Sequence, residues 1–170
     1  KYPLINLILG YLFNKLYNFL NVNIRIIEVI ILIIIFVKFK NDIEIHNFYV
    51  PAGGDIPDIE TNPKFAHKLQ FIDEMTSHFS ANKPKAEILV GDLNIAPLAS
   101  DVWSSKQLLK IISHTPVETD GLKRLIADGG WHDAVRAYFG DDQKLYSWWS
   151  YRARDWAASD RGRRLDHIWV

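Results

Sequence analysis

At 170 residues, 48% of them hydrophobic, the chain is long enough for one domain with a buried core. Twenty Lys and Arg balance twenty Asp and Glu, so whole-chain charge is excluded as a basis for nucleic-acid or membrane binding, and any basic surface must be local. The absence of cysteine excludes a disulfide framework, a thiolate metal site and a Cys nucleophile, and it is compatible with a reducing, cytoplasmic setting.

Charge and composition divide the chain at residue 42. Residues 1–42 carry five Lys or Arg against two acids in a low-complexity mixture of Ile, Leu, Asn and Phe, whereas all six Trp lie beyond residue 100. We read 1–42 as a divergent apolar segment and 43–170 as the domain proper. The densest apolar run, Ile26 to Val37, is interrupted only by Glu28. It falls short of the roughly 20 residues that a membrane-spanning helix needs, and no small-residue cleavage site follows it, so no membrane partner is expected. Its β-branched content predicts a strand over 24–37. Because the first residue is Lys1 and the only Met is Met75, the sequence is expected to be part of a longer protein.

Phe39 to Asp42 reads as a turn. Ile43-Glu44-Ile45-His46 alternates before Phe48-Tyr49-Val50, which predicts a second strand paired with the first as a hairpin. Pro51 to Asp55 ends it and opens a glycine-rich loop running to Thr61. Asn62 and Pro63 supply the cap and first position of a helix whose apolar face is Phe65, Leu69, Ile72, Met75 and Phe79. Lys83-Pro84-Lys85 stops that helix and leads into a buried aliphatic strand, Ile88 to Val90, from which Gly91 lets the backbone turn. Beyond it, Ser104 or Ser105 caps a short helix through Leu108, Leu109 and Ile112, and Asp120 starts another that closes at Gly129-Gly130. Residues 131–137 are too short to assign. Residues 146–164 carry five arginines interleaved with aromatics against Asp155 and Asp160, a pattern suited to a nucleic-acid backbone, although the arginines can equally pair with neighbouring acids. Leu165 to Val170 alternates as a final strand.

The chemistry concentrates at Gly91-Asp92-Leu93-Asn94. If the strand stays extended there, Asp92 and Asn94 stand on one side at its carboxyl end, where open α/β sheets hold ligands, and Leu93 points back to the core. A carboxylate beside an amide can steady a water or a cation and donate to a phosphoryl or acyl oxygen. The same pair also makes an ordinary Asx-turn. There is no phosphate-binding loop, no G-x-S-x-G and no H-E-x-x-H. The six His, among them His67, His114, His132 and His167, lack metal-ligand spacing and read as surface or core residues.

Taken in order, FYVPAGGD, NPKFAHKLQF, GDLNIAP, DVWSSKQLLKIISHTPVE and YSWWSYRARDWAASDRGRRLDHIWV resemble the exonuclease III family of abasic-site endonucleases and exodeoxyribonucleases, over about residues 43 to 170. The resemblance implies a four-layer α/β sandwich of the endonuclease/exonuclease/phosphatase (deoxyribonuclease I-like) type. It also implies Mg²⁺- or Mn²⁺-dependent hydrolysis of phosphodiesters in double-stranded DNA, at abasic sites and 3′ ends. By position, Asp92 corresponds to the aspartate that activates the attacking water, Asn94 to the amide that holds the scissile phosphate, and Tyr49 to a tyrosine beside the same phosphate. Asp166 corresponds to the acid that orients a catalytic histidine, and Trp148 and Leu165 to walls of a pocket for a baseless sugar. Arg152, Arg154 and Arg161 are the expected DNA contacts, and Asp92 and Asn94 are the metal ligands that the matching residues offer.

Two departures matter. Residues 1–42 do not reproduce the family's early metal-binding glutamate with an asparagine ahead of it, and Glu28 is not assigned to that role. The family's Ser-Asp-His segment has no counterpart, and His167 cannot replace its histidine because a strand turns it away from Asp166. The expectation is therefore an incomplete fold truncated at both ends, with little or no activity unless a complementing fragment is supplied. The alternatives are a non-catalytic DNA-binding remnant and a phosphoesterase of the same fold.

Overall fold

The computed structural model describes residues 35–38, 43–152 and 154–170. Most of the strand predicted over 24–37, and the 42/43 boundary on its N-terminal side, lie outside the described residues. What is seen of that strand is β1 (Ile35–Lys38). It pairs antiparallel with β2 (Glu44–Tyr49), Lys38 facing Glu44, as the predicted hairpin requires. Next come β3 (Glu87–Asp92), parallel to β2, and β4 (Asp166–Trp169), antiparallel to β3, giving one sheet in the order β1-β2-β3-β4.

A parallel pair needs a crossover, and α1 (Pro63–Ala81) supplies it between β2 and β3. Asn62 accepts from the Lys64 and Phe65 amides and Pro63 fills the first turn, as the sequence predicts. The buried stripe is Phe65, Lys68, Phe71, Ile72, Met75, Thr76 and Phe79. Leu69, predicted on that face, is only half-buried, while a lysine one position earlier goes fully inside.

The helix expected from Asp120 begins earlier. It is α3 (Pro116–Gly129), opened by a capping box between Thr115 and Glu118 with Pro116 in the first turn and closed by Gly130 at φ 77°. The shorter α2 (Ser105–Leu108) stops before Ile112, because the chain tightens into turns from Leu108 and passes through Ser113 at φ 88°. The unassigned stretch 131–137 holds the start of α4 (Ala134–Phe139), capped by Asp133, and α5 (Trp156–Ser159) lies in the arginine-rich region.

The main core joins Phe48, Leu89, Leu93 and Trp169 from the strand region to Phe71, Ile72, Met75 and Phe79 of α1, Leu122 and Leu125 of α3, and Trp131. Phe79 is its hub, edge-on to Trp131 at 5.1 Å and to Phe48 at 6.1 Å. Such ring pairs add about 0.5–1.5 kcal/mol each beyond the area they bury. Helices α1 and α3 thus cover the sheet face that carries Phe48 and Leu89. Among the described residues, this sheet and its helical cover account for two of the four layers that the resemblance implies.

Candidate active site at the ends of the central strands

Register brings three of the expected residues into one row. Tyr49 ends β2 opposite Asp92, which ends β3, and Asp92 stands opposite Asp166, which starts β4. Partners in register share a face, and neighbouring strands lie about 4.8 Å apart, so Tyr49, Asp92 and Asp166 form a continuous polar row. They face away from Phe48, Leu89 and His167, which are buried. Tyr49 is 53% exposed, Asp166 is exposed and Asp92 is half-buried. His167 is buried opposite Asp166, as strand alternation requires, with Nε2 2.8 Å from the Ile95 carbonyl.

Gly91 permits this row. It sits in β3 at φ 141°, and a Cβ there would lie 1.9 Å from the Phe48 carbonyl oxygen. Asn94 is not extended, contrary to the period-2 expectation. It adopts φ 52°, and its amide donates to Asp92 Oδ1 at 2.9 Å, which is an Asx-turn. Turn and site therefore coexist. The turn brings the Asn94 side chain back to β2, where Nδ2 donates to the Val50 carbonyl at 2.8 Å, while Leu93 enters the core as expected.

Beneath the turn lies a buried ion pair that sequence reasoning missed. Lys68 and Glu118 have no exposed side-chain surface and meet at 2.6 Å. Lys68 Nζ also donates to the carbonyls of Asn94 at 2.8 Å and Ala52 at 3.3 Å. Glu118 accepts from the Ser113 and Thr115 amides and from the Thr115 hydroxyl. One pair thereby ties the loops after β2 and β3 to the start of α3. The available signal was Thr115-Pro116-Val117-Glu118, a capping-box pattern. Burial lowers the Lys68 pKa against the pull of Glu118. Burial raises the Asp92 carboxyl, with the Asp166 charge adding to the rise, while the Asn94 amide and the Lys68 charge oppose it.

The 146–165 region is stitched to the same row. Ser147 Oγ accepts from the Leu165 and Asp166 amides, both at 3.0 Å, and Trp148 exchanges two backbone hydrogen bonds with Arg163. Trp148 is 37% exposed, with the Arg163 guanidinium 5.6 Å from its ring centre. Leu165 is buried with Ala96, Val102 and Leu108, and its carbonyl accepts from the Leu93 amide.

The five arginines do not form one surface. Arg152, Arg154 and Arg161 are exposed, and Arg161 lies over Trp103 at 4.8 Å. Arg164 is buried between Asp101 at 2.6 Å and Asp133 at 2.8 Å, and Arg136 reaches the same Asp101. Arg163 is half-buried and donates to the Ile112 carbonyl and Ser113 hydroxyl. Arginine does pair with acids here, but Arg164 takes partners 63 and 31 residues away rather than its neighbours Asp155 and Asp160.

The donor set suits a hard divalent cation. Two carboxylates stand side by side in the row, and their like charge is part of what raises Asp92. The Asn94 amide nitrogen is engaged by Val50, which leaves its oxygen as the end able to ligate.

No protein-family model matches the sequence. Among curated proteins the chain is 31% identical over 107 residues to the exodeoxyribonuclease of Bacillus subtilis (strain 168), covering 61% of this chain and 41% of that protein. It is 32% identical over 88 residues to the DNA repair nuclease APEX1 of Danio rerio, covering 52% of this chain and 27% of that protein. Two solved structures share the fold, each with a TM-score of 0.68 and coverage of 79% of this chain and 50% of theirs. They are an AP endonuclease from Archaeoglobus fulgidus, 23% identical, and a 3′-5′ exonuclease from Neisseria meningitidis, 25% identical. The chain thus spans less than half the length of these curated relatives and half the length of these solved structures.

Proposed function

We propose that this chain, an exonuclease III-like family member over the stretch its relatives match, contributes the phosphate-facing part of a DNA repair nuclease that acts on phosphodiesters at abasic sites and 3′ ends. The Tyr49–Asp92–Asp166 row carries this reading: three polar side chains on one face at adjoining strand ends, where the sequence alone placed them tens of residues apart.

In this proposal Asp92 orients the attacking water and receives its proton, a role helped by a carboxyl raised through burial. Asn94, held by Val50 and the Asx-turn, keeps its amide at a fixed place beside the phosphate. The exposed Tyr49 hydroxyl bounds the phosphate on the β2 side, and Asp166 bounds it on the β4 side. Trp148 offers an apolar wall to a sugar without a base, with Leu165 packed behind the strand start, whereas a full nucleotide stays stacked in the duplex. Arg152, Arg154 and Arg161 meet the DNA backbone. A bound Mg²⁺ or Mn²⁺ would offset charge developing on the phosphate, with Asp92, Asn94 and Asp166 as its oxygen donors.

Turnover by the chain alone is proposed to be slight. His167 is committed to the core, so a histidine for Asp166 to orient must come from a complementing segment. The test is a duplex with one abasic site, incubated with the chain and Mg²⁺, with and without the remaining part of a full-length relative. Salt-sensitive binding alone, and nicking that needs the added segment and is abolished by Asp92→Asn, is the expected result. Nicking unaffected by Asp92→Asn would overturn the role of the row. Hydrolysis of small phosphate esters without DNA binding would replace the nuclease by a phosphoesterase.

A further inference from the structure

A second group of ligating side chains lies at the opposite ends of the same two strands. Glu44 and Glu87 begin β2 and β3 as register partners, with the Glu44 amide bonded to the Ala86 carbonyl at 2.9 Å. His46 follows Glu44 by two residues and so shares its face. Its Nε2 lies 2.8 Å from Glu87 Oε2. One ligand atom from each of Glu44, His46 and Glu87 lies within 4.8 Å of the other two.

The imidazole is held in place. It stacks on Phe48, with centres 6.3 Å apart and planes at 13°, and meets the edge of Phe79 at 5.6 Å. Both rings belong to the main core, so the direction of Nε2 toward the carboxylates is fixed by packing. Glu87 keeps 21% of its side-chain surface exposed, which leaves an entry from solvent.

We propose that Glu44, His46 and Glu87 form a cation site that prefers Zn²⁺ over Mg²⁺ and clamps the starts of β2 and β3. One imidazole with two carboxylates suits a borderline ion such as Zn²⁺, whereas Mg²⁺ takes oxygen donors and retains its waters. Ligands around a tetrahedral Zn²⁺ stand roughly 3.4 Å apart, so the His46–Glu87 pair, at 2.8 Å, opens slightly and the wider separations, none above 4.8 Å, close by about an ångström. The ion offsets two carboxylate charges held side by side. The site is separate from the Asp92 row, being about 16 Å away along the strands at 3.3 Å per residue and on the other face of the sheet. Its role is to lock the register of the parallel pair from the end opposite the row, and it stands or falls independently of the nuclease reading.

Isothermal titration of the full, chelator-stripped chain with Zn²⁺ and with Mg²⁺, paired with thermal melts, tests it. The expected result is one Zn²⁺ per chain, bound at least about tenfold more tightly than Mg²⁺ at this site, with a rise in Tm. Glu44→Gln and Glu87→Gln, neither of them a core packing residue, should lose the Zn²⁺-induced rise, and Asp92→Asn should keep it. In the imidazole NMR spectrum, the His46 signals should shift on adding Zn²⁺. Absence of Zn²⁺ binding, or binding undiminished in both glutamine variants, overturns the proposal.

Discussion

At the scale of single residues, the most consequential contact is Lys68 with Glu118. A lysine with no exposed surface survives only because its three donors find a carboxylate and two carbonyls, those of Asn94 and Ala52. Removing one partner strands the other charge, so Lys68→Met or Glu118→Leu is expected to cost about 3–5 kcal/mol, with the double variant Lys68→Met/Glu118→Leu recovering part of the loss. Urea unfolding of the four proteins checks this, and simple additivity would contradict it. Asp133 offers a pH test. Burial alone would raise its carboxyl, but the His167 ring 3.9 Å away, the Arg164 guanidinium and the Arg136 amide outweigh burial and hold it well below its ordinary 3.8. A carboxyl depressed in the fold contributes stability that is fully present above its unfolded value and is lost as pH falls through the folded one. The stability gap between the protein and Asp133→Asn is therefore expected to be constant above about pH 5 and to shrink on acidification below pH 4. Melts at stepped pH would show it, and a gap that widened in acid would refute it.

At the scale of elements, β3 is the strand on which the site depends. Its glycine is required because the Phe48 carbonyl occupies the space of a Cβ and the backbone sits at φ 141°. Gly91→Ala is expected to destabilise the protein by more than about 2 kcal/mol and to disturb the Tyr49–Asp92 register. Amide exchange should accelerate in β2 and β3 while the centre of α1 stays protected; an unchanged pattern would count against the close approach seen here. How far each element was legible follows from how local its determinants are. The cap, first proline and apolar period of α1 lie within one run of sequence, and its start is where they predict. The start of α3 was equally local, in Thr115 and Glu118, but Asp120 and the leucines after it gave a competing signal. Lys68 was illegible because its burial is decided by Glu118, 50 positions away in another helix.

At the scale of the whole molecule, net charge is zero while three arginines on one loop region remain exposed. The DNA binding proposed above is accordingly expected to depend on salt through few contacts. Replacing Arg152, Arg154 or Arg161 by Ala should weaken binding to duplexes of any sequence and reduce the salt slope by about 1 each. Arg164→Ala, by contrast, should lower thermal stability first, since it takes one of two guanidinium partners from buried Asp101 and the guanidinium partner from half-buried Asp133. Filter-binding titrations across salt concentrations, paired with melts, separate the two classes; a slope left unchanged by all three surface replacements would remove this region from the DNA-binding face.

The sequence by itself determined the type of most elements, the motif at Gly91-Asp92-Leu93-Asn94, the opposite facing of Asp166 and His167, and the relatives to be expected. The elements and the facing rest on turn chemistry, helix caps and strand alternation, which act over a few residues, whereas the relatives rest on a resemblance carried by the order of the motifs. Only the tertiary structure decided that Tyr49, Asp92 and Asp166 share a row, since strand register joins residues 43 and 74 positions apart. It alone withdrew Arg164 from the basic surface, placed a lysine under the Asn94 turn, and gathered Glu44, His46 and Glu87 at the far end of the sheet. The reason is the same in each case: a charge or ligand is defined by what burial and pairing bring beside it, and those partners come from distant parts of the chain.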